Sequence, residues 1–250
     1  MKKAKTLCIV RVFPYLCSLE KIFKAMKNKR IRIIVTVVAF LLAAVWFFFP
    51  VGKPDGESLL FAMRLALPAA LLALGSIGLL PRPMTAGFCF CAVGDAMGVM
   101  GSFEGQMGGF AVAHICFICQ FVRDIRRSKP KLAAFVITAL FCALPLVLAA
   151  LKIIPEIHDL PIRIGCMVYA LLLTGTAWTG IVRAVSAGKV RSFLPFIAAV
   201  GGLLFLVSDF ILSWNKFTEH IPHASLYIMS TYYAALLCLF VGTLRRAAQK

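Results

Sequence analysis

Two aspartates stand where an ionisable side chain is expensive. Asp95 follows Val93 and Gly94, Asp209 follows Val207 and Ser208, and each has a phenylalanine eight residues later, Phe103 and Phe217. Both lie inside long apolar runs. A carboxyl at the centre of a membrane-crossing helix costs about 2.5–3.5 kcal/mol on insertion scales. Two of them in matched settings call for a chemical reason. Carboxyls brought together in a dry pocket share one proton. Such a pair suits general acid–base chemistry. We therefore read Asp95 and Asp209 as a buried acid pair in a polytopic membrane enzyme.

Few other polar residues lie at such depth. Arg64 and His114 are the ionisable ones, and Gln106, Tyr169, Tyr227, Ser230, Tyr232 and Tyr233 are weaker candidates. Two acids, a base and a cation at one depth are more naturally one site than four accidents. Each has a structural alternative. Asp95 pairs with Arg64 for stability alone, Asp209 is a wetted interfacial acid, or His114 is a hydrogen-bonded packing residue.

The elements that hold these residues are set by composition. The chain has 250 residues, 61% hydrophobic and 15% charged. A soluble domain is about half apolar and a quarter charged, so this is a membrane chain. The net charge of +17 does not indicate nucleic acid, because the basic residues sit between apolar runs rather than on one patch. Eight spans are expected, at 32–50, 58–79, 84–102, 105–122, 131–151, 162–183, 193–214 and 224–244, each near the 20 residues that cross a bilayer. The fold class is therefore an all-α bundle of eight transmembrane helices. The matched Asp motifs fall on spans three and seven, as a parallel duplication of four helices would place them. Residues 1–31 form a basic cytoplasmic arm ahead of a membrane domain over 32–250. Met26, before Lys-Asn-Lys-Arg-Ile-Arg, is an alternative bacterial start. No small-residue cleavage site follows Trp46 to Pro50, so no cleaved signal peptide is expected.

Basic residues orient the spans. Twenty-two fall on the N-terminal side, against Lys53, Lys152, Arg163 and Lys216 on the other. Both termini should then be cytoplasmic, in a bacterial cytoplasmic membrane. The nine cysteines lie mostly within apolar runs and read as packing residues. The Cys116/Cys119 pair has no second pair to make a metal site, so neither metal nor cofactor is expected. Gly94, Gly98, Gly101 and Gly105 near Asp95, and Gly201 and Ser208 near Asp209, allow close helix approach. Gln106, Phe110 and His114, spaced by four, share one helix face.

Val93-Gly94-Asp95 with Phe103, Gly109-Phe110 and His114 to Phe117 resembles the core of the YhhN-like lysoplasmalogenase family. Gly201 to Asp209, followed by Asn215-Lys216-Phe217, resembles its second signature. Thr231-Tyr232-Tyr233 resembles the tyrosine motif of its last helix. Two departures stand out: Arg64 with Pro68 where the family often has Lys-Pro, and Leu236 where it often has Gln. The resemblance implies hydrolysis of the vinyl ether of a lysoplasmalogen, a lysophospholipid, to a fatty aldehyde and glycerophosphoethanolamine or glycerophosphocholine. It implies Asp95, Asp209 and His114 as catalytic residues. Arg64, Tyr169, Tyr232, Tyr233 and Asn215 would bind substrate, Arg64 holding its phosphate or tuning an Asp. The partners are the substrate and the bilayer. A proton-coupled transporter and a non-catalytic lipid-binding protein are the competing readings from other classes. Aldehyde release from a lysoplasmalogen separates them from the enzyme.

Overall fold

The computed structural model describes residues 28–49, 59–128, 132–186 and 193–244, with Phe23 and Met26, and of 59–63 the backbone alone. The described residues form eight α-helices and no strand: α1 (Lys29–Phe48), α2 (Leu59–Ser76), α3 (Arg82–Val99), α4 (Phe103–Ser128), α5 (Leu132–Lys152), α6 (Leu160–Ser186), α7 (Leu194–Phe217) and α8 (Ala224–Gly242). A 3-10 turn, Ile154–Glu156, follows α5. One helix stands on each expected span. Six of them, α1 and α4 to α8, are long and apolar enough to cross a membrane. In α2 the apolar stretch is the shorter Arg64–Ser76, and α3 carries Arg82 and Asp95 within its 18 residues. The chain is an all-α integral membrane protein. The expected basic arm lies almost wholly outside the described residues. The first described helix, α1, starts at Lys29, where the Asn28 side chain caps Arg30 N and Ile31 N.

The chain divides into two compact units, Met1–Gly109 and Phe110–Lys250, with the division inside α4. In the first unit, α1 and α2 cap each other with arginines. Arg32, near the start of α1, donates to the Ile77 carbonyl just past α2. Arg64, near the start of α2, donates from Nη2 to the Phe49 carbonyl just past α1, at 2.7 Å, and lies 5.1 Å over the Trp46 ring. Each cation meets the negative end of a helix dipole and satisfies a carbonyl left over at a helix terminus. The α2–α3 turn contains Gly78 at φ +74°, where a side chain would be strained. Ser76 Oγ donates to the Ala73 carbonyl and accepts from Thr85 Oγ1 across that turn. At Gly109 a Cβ would come within 2.8 Å of Gly94 Cα, so the chain beside Asp95 is packed backbone to backbone.

The second unit is built on seven-residue spacing. On α7, Ala198, Gly202, Phe205 and Asp209 make one buried stripe. On α6, Tyr169, Thr176 and Arg183 share a face. Gly202 abuts Ala177, and Gly180 abuts Ala199, so α6 and α7 run antiparallel. Gly201 abuts Ala235 and Leu239 of α8, and Ser208 Oγ donates to the Ile228 carbonyl at 3.0 Å, so α7 and α8 are antiparallel too. Trp178 Nε1 ties α6 to α5 through the Phe135 carbonyl and Thr138 Oγ1. Much of the rest of α5 is turned outward, with Leu132, Ile137, Leu140, Phe141 and Leu144 all exposed. Within a bilayer that apolar face meets acyl chains, which solvate it as well as protein does.

Candidate active site

Asp209, Tyr169 and His114 meet inside the second unit. The Tyr169 hydroxyl donates to Asp209 Oδ2 and lies 3.4 Å from His114 Nε2. His114 Nδ1 lies 3.0 Å from Thr176 Oγ1. Thr176 in turn donates to the Leu172 carbonyl of its own helix at 3.2 Å. A threonine hydroxyl has one hydrogen, so Thr176 accepts from Nδ1–H and the imidazole turns its Nε2 lone pair toward Tyr169. The result is a continuous line of polar atoms from Asp209 to the backbone of α6. His114 and Thr176 have no solvent exposure, and Asp209 is 6% exposed.

Register positions these groups. Tyr169 and Thr176 are two turns apart on α6 and face inward together. His114 shares the buried face of α4 with Phe110, Phe117 and Phe121. The surroundings are aromatic. The Phe205 ring lies 4.7 Å from the imidazole, edge to face, and Phe110, Phe205 and Tyr232 pack against one another at 5.4–6.1 Å. Tyr233 lies beside Tyr232, with ring centres 5.4 Å apart. Such a wall excludes water from the polar line at its floor.

The expected site residues divide by unit. Asp209, His114, Tyr169, Tyr232 and Tyr233 belong to the second unit, and all but Tyr169 are classed as buried there. Asp95, 2% exposed on α3, and Arg64, 3% exposed on α2, belong to the first. Arg64 carries the α1 end and the Trp46 ring described above. Asn215 Oδ1 accepts from Ile221 N at 2.8 Å, bracing the loop between α7 and α8.

Thr176 was not singled out from the chain, although its seven-residue spacing from Tyr169 was available as a signal. A second polar group was missed as well. Arg183 donates from Nε to Asp124 Oδ2 at 2.9 Å and from Nη1 to the Gly242 carbonyl at 3.3 Å. Gln120 donates to Asp124 Oδ1. This group ties α4, α6 and α8 at one end. Among the described residues, no group of three or more His, Cys, Asp or Glu could hold a metal ion.

The YhhN family model matches residues 58–243, which include every residue of this cluster. Lysoplasmalogenase TMEM86B of Homo sapiens is 34% identical over 160 residues, covering 64% of this chain and 62% of that protein. Its counterpart from Sus scrofa is 35% identical over 145 residues, 58% and 55% of the two chains. That from Mus musculus is 29% identical over 217 residues, 84% and 87%. The chain thus spans less than two thirds of the first two of these relatives. No solved structure matches it.

Proposed function

We propose, for a chain that belongs to the YhhN family, a membrane hydrolase of lysoplasmalogenase type, cleaving the vinyl ether of a single-chain ether phospholipid. The observation that carries the reading is the buried Asp209–Tyr169–His114 line under an aromatic wall. Vinyl ether hydrolysis begins when a proton reaches the β-carbon, leaving an oxocarbenium ion. Water adds to that cation and gives up a proton. The hemiacetal then collapses to a fatty aldehyde and the free glycerol hydroxyl of the head-group fragment. Proton gained and proton returned balance, and one water is consumed.

The cluster has the parts for this sequence. With a proton on its carboxyl, Asp209 donates to the Tyr169 oxygen, Tyr169 donates to His114 Nε2, and Nδ1–H donates to Thr176. Every donor in the line is then used. After Asp209 gives its proton to the β-carbon, Tyr169 donates to the carboxylate across the same contact. The carboxylate then faces the cation, and His114 can take the proton that the attacking water releases. Asp95 is the second carboxyl of the expected pair, and the role assigned to it rests on its placement in an apolar helix. The substrate is a lysophospholipid drawn from the bilayer. The membrane is the bacterial cytoplasmic one, with both termini inside, as the positive-inside bias favours.

The test is to incubate purified protein with a lysoplasmalogen and with a saturated lysophospholipid, and to assay for aldehyde. Release from the first alone is expected, lost in Asp209→Asn with the detergent elution profile unchanged. Full activity in that variant would sink the assignment.

A further inference from the structure

The Asp209–Tyr169 contact lies near one end of a seam that carries two more cations. The contacts 169–209, 177–202 and 180–199 set an antiparallel register for α6 and α7. In that register Arg163 of α6 stands level with Lys216 of α7. Lys216 is seven residues beyond Asp209, so it lies on the same face of α7, about 10 Å further along the axis. Its ammonium lies 5.8 Å from the Phe217 ring. The seam thus leads from the carboxyl to a pair of cations at the rim.

We propose that Arg163 and Lys216 form the phosphate subsite of this protein, holding the head group of a single-chain phospholipid whose reacting bond lies at Asp209. The proposal rests on the hydrolase reading for the position of that bond. In a lysoplasmalogen, six bonds separate the vinyl ether carbon from phosphorus, and a zigzag of about 1.5 Å single bonds covers roughly 7–8 Å. The long arms of Lys and Arg take up the remainder of the 10 Å. The alkenyl chain then runs away from the rim, beneath Phe205, Phe110 and Tyr232. Asp159 caps α6 through Ile162 N at 2.9 Å, and Glu156 and Glu219 are exposed on the adjoining loops. Lys and Arg at membrane rims also anchor to bulk lipid, but such anchoring does not discriminate between ligands inside the unit.

Binding separates the two. Wild-type protein in uncharged detergent is titrated with palmitoyl-lysophosphatidylethanolamine and with monopalmitoylglycerol, followed by tryptophan fluorescence. The first has no vinyl ether and is not consumed; the second lacks the phosphate. A preference of about tenfold for the phosphorylated ligand is expected, the scale of one or two charge-assisted hydrogen bonds. In Arg163→Gln/Lys216→Gln the preference disappears, while affinity for monopalmitoylglycerol is unchanged. Arg163→Lys/Lys216→Arg keeps most of the preference. Equal wild-type affinities, or a preference that survives the double Gln variant, overturn the subsite. So does inorganic phosphate binding as tightly as the lysophospholipid, since the site would then hold a free anion. A wild type that shows the preference yet releases no aldehyde from a lysoplasmalogen leaves the subsite standing and removes the hydrolase reading.

Discussion

Tyr169 is the atom-level junction of the proposed chemistry, because its single hydroxyl touches both Asp209 and His114. Tyr169→Phe removes one oxygen and keeps the ring that packs against the imidazole. If the hydroxyl carries the proton, turnover should fall about 100-fold, the usual scale of general acid–base assistance. KM should change little, because the aromatic wall is intact. A purely structural hydroxyl would instead lower the melting temperature and leave kcat near wild type. Asp95 is tested in the same aldehyde assay: Asp95→Asn is expected to reduce release to background, and full turnover would remove Asp95 from the catalytic set. At this scale the chain alone singled out Asp209 and His114, with Tyr169 a weaker candidate, because polar groups in apolar helices are rare. It did not single out Thr176, whose hydroxyl can satisfy itself on its own helix backbone and so stands out from no apolar run.

At the scale of helices, register depends on glycines that admit no side chain. A Cβ at Gly201 would sit 2.9 Å from the Ala235 carbonyl oxygen and from Leu239 N. Backbone cannot swing aside as a flexible side chain can. Gly201→Ala should therefore destabilise the second unit by about 1–3 kcal/mol, the range for overpacked interiors, read as a lower melting temperature in detergent. The Arg183–Asp124 pair tests a different kind of contact. It is partly exposed, at 14% and 25%, so its net worth is small, but removing one partner strands the other. Arg183→Leu alone should lower the melting temperature more than Arg183→Leu/Asp124→Leu together, and additive losses would show that the two side chains are not coupled. Glycines and small residues beside both aspartates were legible in the sequence. The helix each one abuts was not, because a glycine admits any close neighbour and names none.

For the whole molecule, the length and apolarity of the helices settle that it is built into a membrane. Orientation is the matching prediction. The Arg183 contacts bring the C-terminal ends of α4, α6 and α8 to one end of the second unit, and Arg123, Arg126 and Arg127 lie at that end of α4. If this end faces the cytoplasm, green fluorescent protein fused after residue 250 should fluoresce in a bacterial host, and alkaline phosphatase fused there should be inactive. The reverse pattern would invert the positive-inside assignment and carry the Arg163–Lys216 rim to the cytoplasmic face.

Where the helices lie, and which residues share a face of each, follow from the chain alone. Lipid offers the backbone no hydrogen bonds, so a run of about 20 apolar residues that crosses it does so as a helix, and helical periodicity is local. Which faces meet is not local. Tyr169 and Asp209 are forty residues apart, as are Trp178 and Thr138, and only the antiparallel packing of α5, α6 and α7 decides that each pair touches. Close helix contact is won by small residues and shape, which many registers satisfy nearly equally on paper and one satisfies in space.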